Sequence, residues 1–201
     1  MTSFSFRLTI KWAALGLLLA GCGHMPMASM VKLARVDFAT TDPAGLRAAV
    51  KLPAAIKPLR DRMRLRLAVR LANGKESTQD FRLTEISDAI DASGLGDQIE
   101  AGTHLFAYQL EPAEAARLVA FRDALKEQQA ASGGRGGAVT ISVAPGACRN
   151  SEIPTGPVLF TTYLRTAETG GYIVLARDVD LRTVAGNRDL AAEMPICERS
   201  G

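Results

Sequence analysis

Histidine is nearly missing from this chain: there are two, His24 and His104, in 201 residues. His104 alone falls in the region that reads as folded, so most hydrolytic mechanisms lack their usual general base. No Gly-x-Ser-x-Gly, His-Glu-x-x-His or Cys/His constellation occurs. The glycine-rich stretch SGGRGG at 132–137 lacks a Gly-Lys-Ser/Thr ending and does not run from a strand into a helix, so it reads as a flexible loop rather than a phosphate cradle. Cysteine is sparse as well, with three residues and no Cys-x-x-Cys pair, too few for a thiolate metal site. These shortages point away from an enzyme and imply neither a cofactor nor a resident metal.

The positions that are present near the start specify an address. Arg7 and Lys11 precede an uncharged run from Trp12 to Gly21, the order of a basic region, an apolar region and a small-residue cleavage site. A membrane-spanning helix needs roughly 20 apolar residues and this run is about half that, so it predicts an export signal rather than a permanent anchor. The tetrapeptide Leu19-Ala20-Gly21-Cys22 resembles the lipobox of bacterial lipoprotein precursors. That resemblance implies a signal peptide over residues 1–21, removed before Cys22, and acylation of Cys22 on its thiol and its new amino terminus. Several acyl chains give lasting membrane attachment where one gives only marginal binding. Gly23, in place of an aspartate, implies by the same resemblance an outer-membrane position facing the periplasm. An ordinary cleaved signal and an uncleaved leader are the alternatives.

After removal of Arg7 and Lys11 the 24 basic residues become 22 against 21 acidic ones, net +1, so charge gives no argument for nucleic acid. The distribution is uneven. Residues 22–75 hold 11 basic and 3 acidic side chains, whereas 76–201 hold 11 and 18, and folding is expected to set the two segments against each other. The remaining cysteines, Cys148 and Cys197, form an even pair in an exported chain, which predicts a disulfide. A catalytic thiol is the sharper alternative.

Residues 22–31 read as a lipidated tether and 32–201 as a single periplasmic domain, expected to be α+β with a mainly antiparallel sheet. His24, Met25, Met27 and Met30 could hold a soft metal such as copper, but a methionine-bearing linker is the simpler reading. A first strand is expected over 32–38, then a short helix capped by Asp42, opened by Pro43 and ended before Pro53. Alternation on both sides of Asn73-Gly74 predicts a hairpin over 64–83. A short helix near 86–92, a strand over 103–110, a long helix over about 112–130 packed on one face of the sheet, and a strand through Val139, Ile141 and Val143 follow. A second hairpin spans 157–177, and Asp180 is placed to cap a last short helix.

The most informative pattern is PLRDRMRLRLAVRL at 58–71. Arg60, Arg62, Arg64, Arg66 and Arg70 share one parity, and Leu59, Met63, Leu65, Leu67, Val69 and Leu71 the other. An extended chain would set the guanidiniums on one face at about 6.6 Å spacing, suited to a row of phosphates or carboxylates. Lipid head groups, acidic glycans or an acidic protein are the partners this would fit. The competing interpretation is a polar sheet face neutralised by the chain's own acidic segment. A second cluster, Arg165, Arg177, Asp178 and Asp180, offers two carboxylates that could do acid/base work on a glycan, or could simply pair with arginine and cap a helix. The expected function is a non-enzymatic, structural or accessory lipoprotein that binds a protein partner or anionic envelope material. A glycan-acting enzyme using Asp178 and Asp180, or a small-ligand carrier with a deep apolar pocket, are the alternatives.

Overall fold

A computed structural model describes residues 24–86, 94–131, 137–144, 146–186 and 188–198. The described residues form a mixed structure: one long helix, three short ones and nine strands, all of whose ladders are antiparallel. The strands are β1 (Arg47–Pro53), β2 (Ile56–Pro58), β3 (Arg64–Leu71), β4 (Glu76–Glu85), β5 (Thr103–Leu110), β6 (Gly137–Ala144), β7 (Ala147–Arg149), β8 (Leu159–Arg165) and β9 (Ile173–Asp180). Seven make one sheet in the order β6-β3-β4-β5-β1-β8-β9, and β2 pairs with β7 separately. The helices are α1 (Met27–Leu33), α2 (Pro112–Ala131), α3 (Leu181–Val184) and α4 (Leu190–Glu193).

The β3–β4 hairpin forms as its alternation predicts. Leu65, Leu67, Val69 and Leu71 are buried while Arg66 and Arg70 are exposed, and the turn carries Gly74 at φ +83°, a conformation that costs a glycine little. β4 then changes partner. Residues 76–82 pair with β3, whereas Leu83, Thr84 and Glu85 pair with Leu110, Gln109 and Tyr108 of β5. A strand that switches partners turns a corner in the sheet, and Phe81 and Leu83, both fully buried, bring both parts of the sheet into one core.

Two stretches differ from their sequence reading. The helix expected between Asp42 and Pro53 is a single three-residue turn, 43–45, in which Asp42 Oδ1 accepts from the Ala44 N–H at 2.9 Å. From Arg47 onward the chain is β1, held between β5 and β8. Ala48, Ala49 and Val50 have no exposed surface, because the main core covers one face of β1 and a smaller cluster with Leu95 and Tyr163 covers the other. A strand buried on both faces has no polar alternation, and its alanines carry helical propensity that packing overrides. The expected strand over 32–38 is instead the end of α1 and a turn, with Leu33 and Phe38 packed against the core. Residues 27–31 of the expected tether belong to α1, whose Ser29 is buried.

The long helix lies where it is expected. Leu118 is buried against the sheet, Phe121 meets Phe81 at 6.1 Å between ring centroids, and the Arg117 guanidinium sits 5.5 Å above the Phe81 ring. β6 presents Val143 and Ile141 to the core. The second hairpin forms as β8 and β9, and Cys148 of β7 is bonded to Cys197, tying the C-terminal segment to the small ladder. Most of the expected helix near 86–92, and residues 132–136 of the glycine-rich loop, lie outside the described residues.

Leu118→Ala should lower the unfolding free energy by about 2–5 kcal/mol, whereas Val119→Ala next to it, 39% exposed, should change it by about 0.5 kcal/mol or less. Denaturant titration measures both, and equal losses would mean that α2 does not dock through its Leu118 stripe. The disulfide closes a separation of 49 residues. Cys197→Ser should therefore cost about 2–4 kcal/mol, visible as an earlier denaturation midpoint that the wild type reproduces under reducing conditions.

Candidate functional site

The five arginines do not make one row. Arg60 and Arg62 fall in a turn of 3-10 helix over 60–62, and the strand starts only at Arg64. The break is imposed from elsewhere: the Gly146 N–H donates to the Arg62 carbonyl at 3.0 Å and the Leu59 N–H to the Gly146 carbonyl at 2.8 Å. A Cβ at position 146 would clash with the Arg62 side chain, so glycine permits this approach. The parity of 58–71 does not reveal the break, since the contact comes from a residue distant in sequence.

Arg64, Arg66 and Arg70 do share the outer face of β3, interrupted by Ala68. Their cross-strand neighbours on β4 are Arg82, Asp80 and Glu76 respectively. Arg66 and Asp80 form a bidentate pair, Nε to Oδ1 at 2.7 Å and Nη2 to Oδ2 at 2.8 Å. The hydrogen bond from Arg66 holds the Asp80 carboxyl below the usual carboxylate range, and the same bond raises the guanidinium. Arg64 donates to the Asp61 and Met63 carbonyls at 2.7 and 2.9 Å, while directly opposite stands another cation, Arg82. Among the described residues, the side chains of Arg60, Arg62, Arg70 and Arg82 make no ion pair or hydrogen bond. On the other side of β3, Arg66, Ala68 and Arg70 face the exposed β6 residues Ser142, Thr140 and Ala138, none of them bulky or charged. Among the described residues this face has one ion pair and an excess of positive charge.

The second cluster has structural duties. Between Phe160–Val179 and Thr162–Ala176 the ladder slips, leaving Arg177 and Asp178 opposite Thr161 in a β-bulge. Asp178 has φ +50°; its N–H donates to Thr161 Oγ1 at 3.1 Å, and that hydroxyl lies 3.1 Å from Asp178 Oδ1. Asp180 Oδ1 accepts from the Arg182 N–H, capping α3, and from the Val158 N–H, each at 3.0 Å. These two backbone donors hold its carboxyl below the ordinary range, the reverse of what a general acid needs. The Arg165 guanidinium lies 5.4 Å from the centroid of the Tyr172 ring. At the bulge, the Arg177 backbone is held by the start of the described chain: its main-chain N–H donates to the His24 carbonyl at 2.6 Å, and its carbonyl lies 3.0 Å from His24 Nδ1.

Two further features escaped the sequence reading. Tyr108 is fully buried with no hydrogen-bond partner for its hydroxyl among the described residues, and burial, helped by the Glu85 charge, pushes its phenol up. Beneath α2 an apolar groove of about 120 Å³ is lined by Leu67, Val69, Leu118, Phe121, Leu125 and Val139, with Arg122 and Lys126 beside it. Small-molecule sites usually occupy roughly 300–1,000 Å³, so this groove holds little more than one apolar side chain and falls short of the deep pocket that a carrier requires. Among the described residues no cluster of three His, Cys, Asp or Glu side chains is placed to hold a metal, and no helix is long and apolar enough to cross a membrane.

No protein-family model, curated protein or solved structure matches this chain. Its chemistry must therefore be read from its own residues.

Because the folded Asp180 carboxyl is held below its ordinary value, its stabilising effect is complete above the unfolded carboxyl pKa of about 4 and is lost as pH falls through the lower folded value. Asp180→Ala should thus lower the melting temperature at neutral pH, by a margin that shrinks below about pH 4. A variant that melts like the wild type at pH 7 would return Asp180 to the list of residues available for chemistry.

Proposed function

We propose that this chain is an outer-membrane lipoprotein, anchored through acylated Cys22 and facing the periplasm. Its single α+β domain is a non-enzymatic accessory that engages a protein partner or anionic envelope material through the outer face of β3 and β4. The anchor rests on Leu19-Ala20-Gly21-Cys22 at its distance from Arg7 and Lys11, and the choice of membrane on Gly23.

One observation carries the binding half of this reading: half-buried Arg64 lies directly across from exposed Arg82. Like charges in that relation destabilise a strand pair. Folding does not require Arg82, because the position is exposed and an uncharged residue would serve the sheet equally well. An acidic surface supplied from outside relieves the repulsion and gains bidentate contacts to carboxylate or phosphate. Arg60, Arg62 and Arg70 widen the same basic margin, while Arg66 is already paired with Asp80. Asp178 and Asp180 are spent on the bulge and on the cap of α3, which favours the accessory reading over the glycan-acting enzyme.

The test compares the full-length chain with three variants. Arg62, Arg70 and Arg82 changed together to Gln should leave the melting temperature near that of the wild type. The same change should weaken in vivo crosslinking to the captured partner, or binding to anionic vesicles, as added salt does for the wild type. Asp80→Asn releases Arg66 and should strengthen the same binding. Cys22→Ser should abolish both fatty-acid labelling and membrane retention. A triple variant that melts early yet binds every captured partner as before would mean that the arginines serve only as internal counter-charge.

A further inference from the structure

We propose that α1 is a membrane-contact helix, lying flat on the lipid surface that holds the chain's own anchor and so fixing which side of the domain faces the bilayer. The inference rests on the Cys22 anchor proposed above and adds an orientation to it.

Chain continuity supplies the first argument. His24 is pinned to the bulge of β9 by two hydrogen bonds to Arg177. Cys22 precedes it by two residues, a reach of at most about 7 Å in extended chain. Acyl chains on Cys22 therefore enter the membrane beside the start of α1, and the domain has no long linker on which to stand away from the surface.

The second argument is the surface that α1 turns outward. Met27, Met30 and Val31 stand at i, i+3 and i+4, one face of the helix, and are 75%, 37% and 56% exposed. Buried Ser29, with Leu33 packed on the core, occupies the opposite face. Lys32 and Arg35, both exposed, follow the apolar stripe. An apolar face bordered by cations is the arrangement of a helix at the acyl–headgroup boundary, with methionine and valine below the phosphates and the cations among them. Seven residues span about 10 Å, enough to lie in the interface and far too short to cross it. Anchor and helix together make two attachments, which hinder the domain from turning about its lipids.

The sequence has one tryptophan, Trp12, within the expected leader, so a chain cut before Cys22 contains none and an introduced tryptophan reports alone. The experiment places purified, acylated protein cut before Cys22 in zwitterionic phosphatidylcholine vesicles that carry brominated acyl chains, so that the arginine face meets no anionic lipid. Val31→Trp and Met27→Trp report on α1, and Ala72→Trp reports on the β3–β4 turn. Both α1 reporters should show blue-shifted emission, loss of emission to bromine and protection from acrylamide, and Trp at position 72 should show none of these. If the chain takes no fatty-acid label, the anchor fails and the orientation fails with it. If it is labelled and held on vesicles while both α1 reporters remain open to acrylamide and untouched by bromine, the anchor stands and the orientation is overturned. Protection from acrylamide without bromine quenching would mean that a second copy covers α1, which also overturns the proposal.

Discussion

The change of partner within β4 is the constraint on which the rest of the structure depends. Residues 76–82 belong to β3 and residues 83–85 to β5, so one continuous strand joins the basic hairpin to the strands that follow it. Phe81 and Leu83 lie at this junction and are fully buried, and α2 packs on the same place through Phe121 and Arg117. Moving the register by one residue would turn both side chains to solvent and bring Arg82 into the core, so the alignment is strongly specified. The charge asymmetry of the sequence is met locally only in part: a basic strand is laid beside an acidic one, and one of the β4 carboxylates, Asp80, meets a guanidinium in bidentate contact.

Much of this architecture was legible in the residues. The β3–β4 hairpin, β5, α2, β6 and the β8–β9 hairpin each have a clear period and recognisable ends, and Asp180 caps the helix after β9 as its position suggests. β1 was not legible, because Ala48, Ala49 and Val50 are covered from both sides and local propensity points the other way. Nor was α1, a segment of seven residues whose inward contacts, Ser29 and Leu33, are too few to establish a period. In the candidate site, the arginines of β3 were legible as a face, but the break at 60–62 was not, since Gly146 makes it through backbone hydrogen bonds. Arg82 was missed for a similar reason: its place opposite Arg64 depends on the hairpin register and not on any pattern within 58–71.

The bulge in β9 shows how a residue that looks chemical can be structural. Asp178 sits at φ +50°, a conformation strained for most residues but tolerated by aspartate, and its exchange of hydrogen bonds with Thr161 holds it there. The bulge presents Arg177 to His24, and the first described residue is thus fixed to the sheet edge. An exposed β9 edge would offer unpaired backbone groups to another chain, and α1 with its preceding turn covers part of it.

The same locked register bears on how the arginine face is interpreted. If the row were only the polar exterior of a sheet, each outward position on β4 would be free to carry a carboxylate, and Asp80 demonstrates that such a partner fits. Position 82 is more exposed than position 80 and stands directly across from Arg64, yet it carries a cation. β6 could have supplied screening carboxylates from the other side, but its outward residues there are Ser142, Thr140 and Ala138. Among the described residues Arg66–Asp80 is the one ion pair on this face, and Glu76 stands opposite Arg70 without closing a second. Among the described residues the guanidiniums of Arg60, Arg62, Arg70 and Arg82 form no ion pair, which suits the acidic partner proposed above.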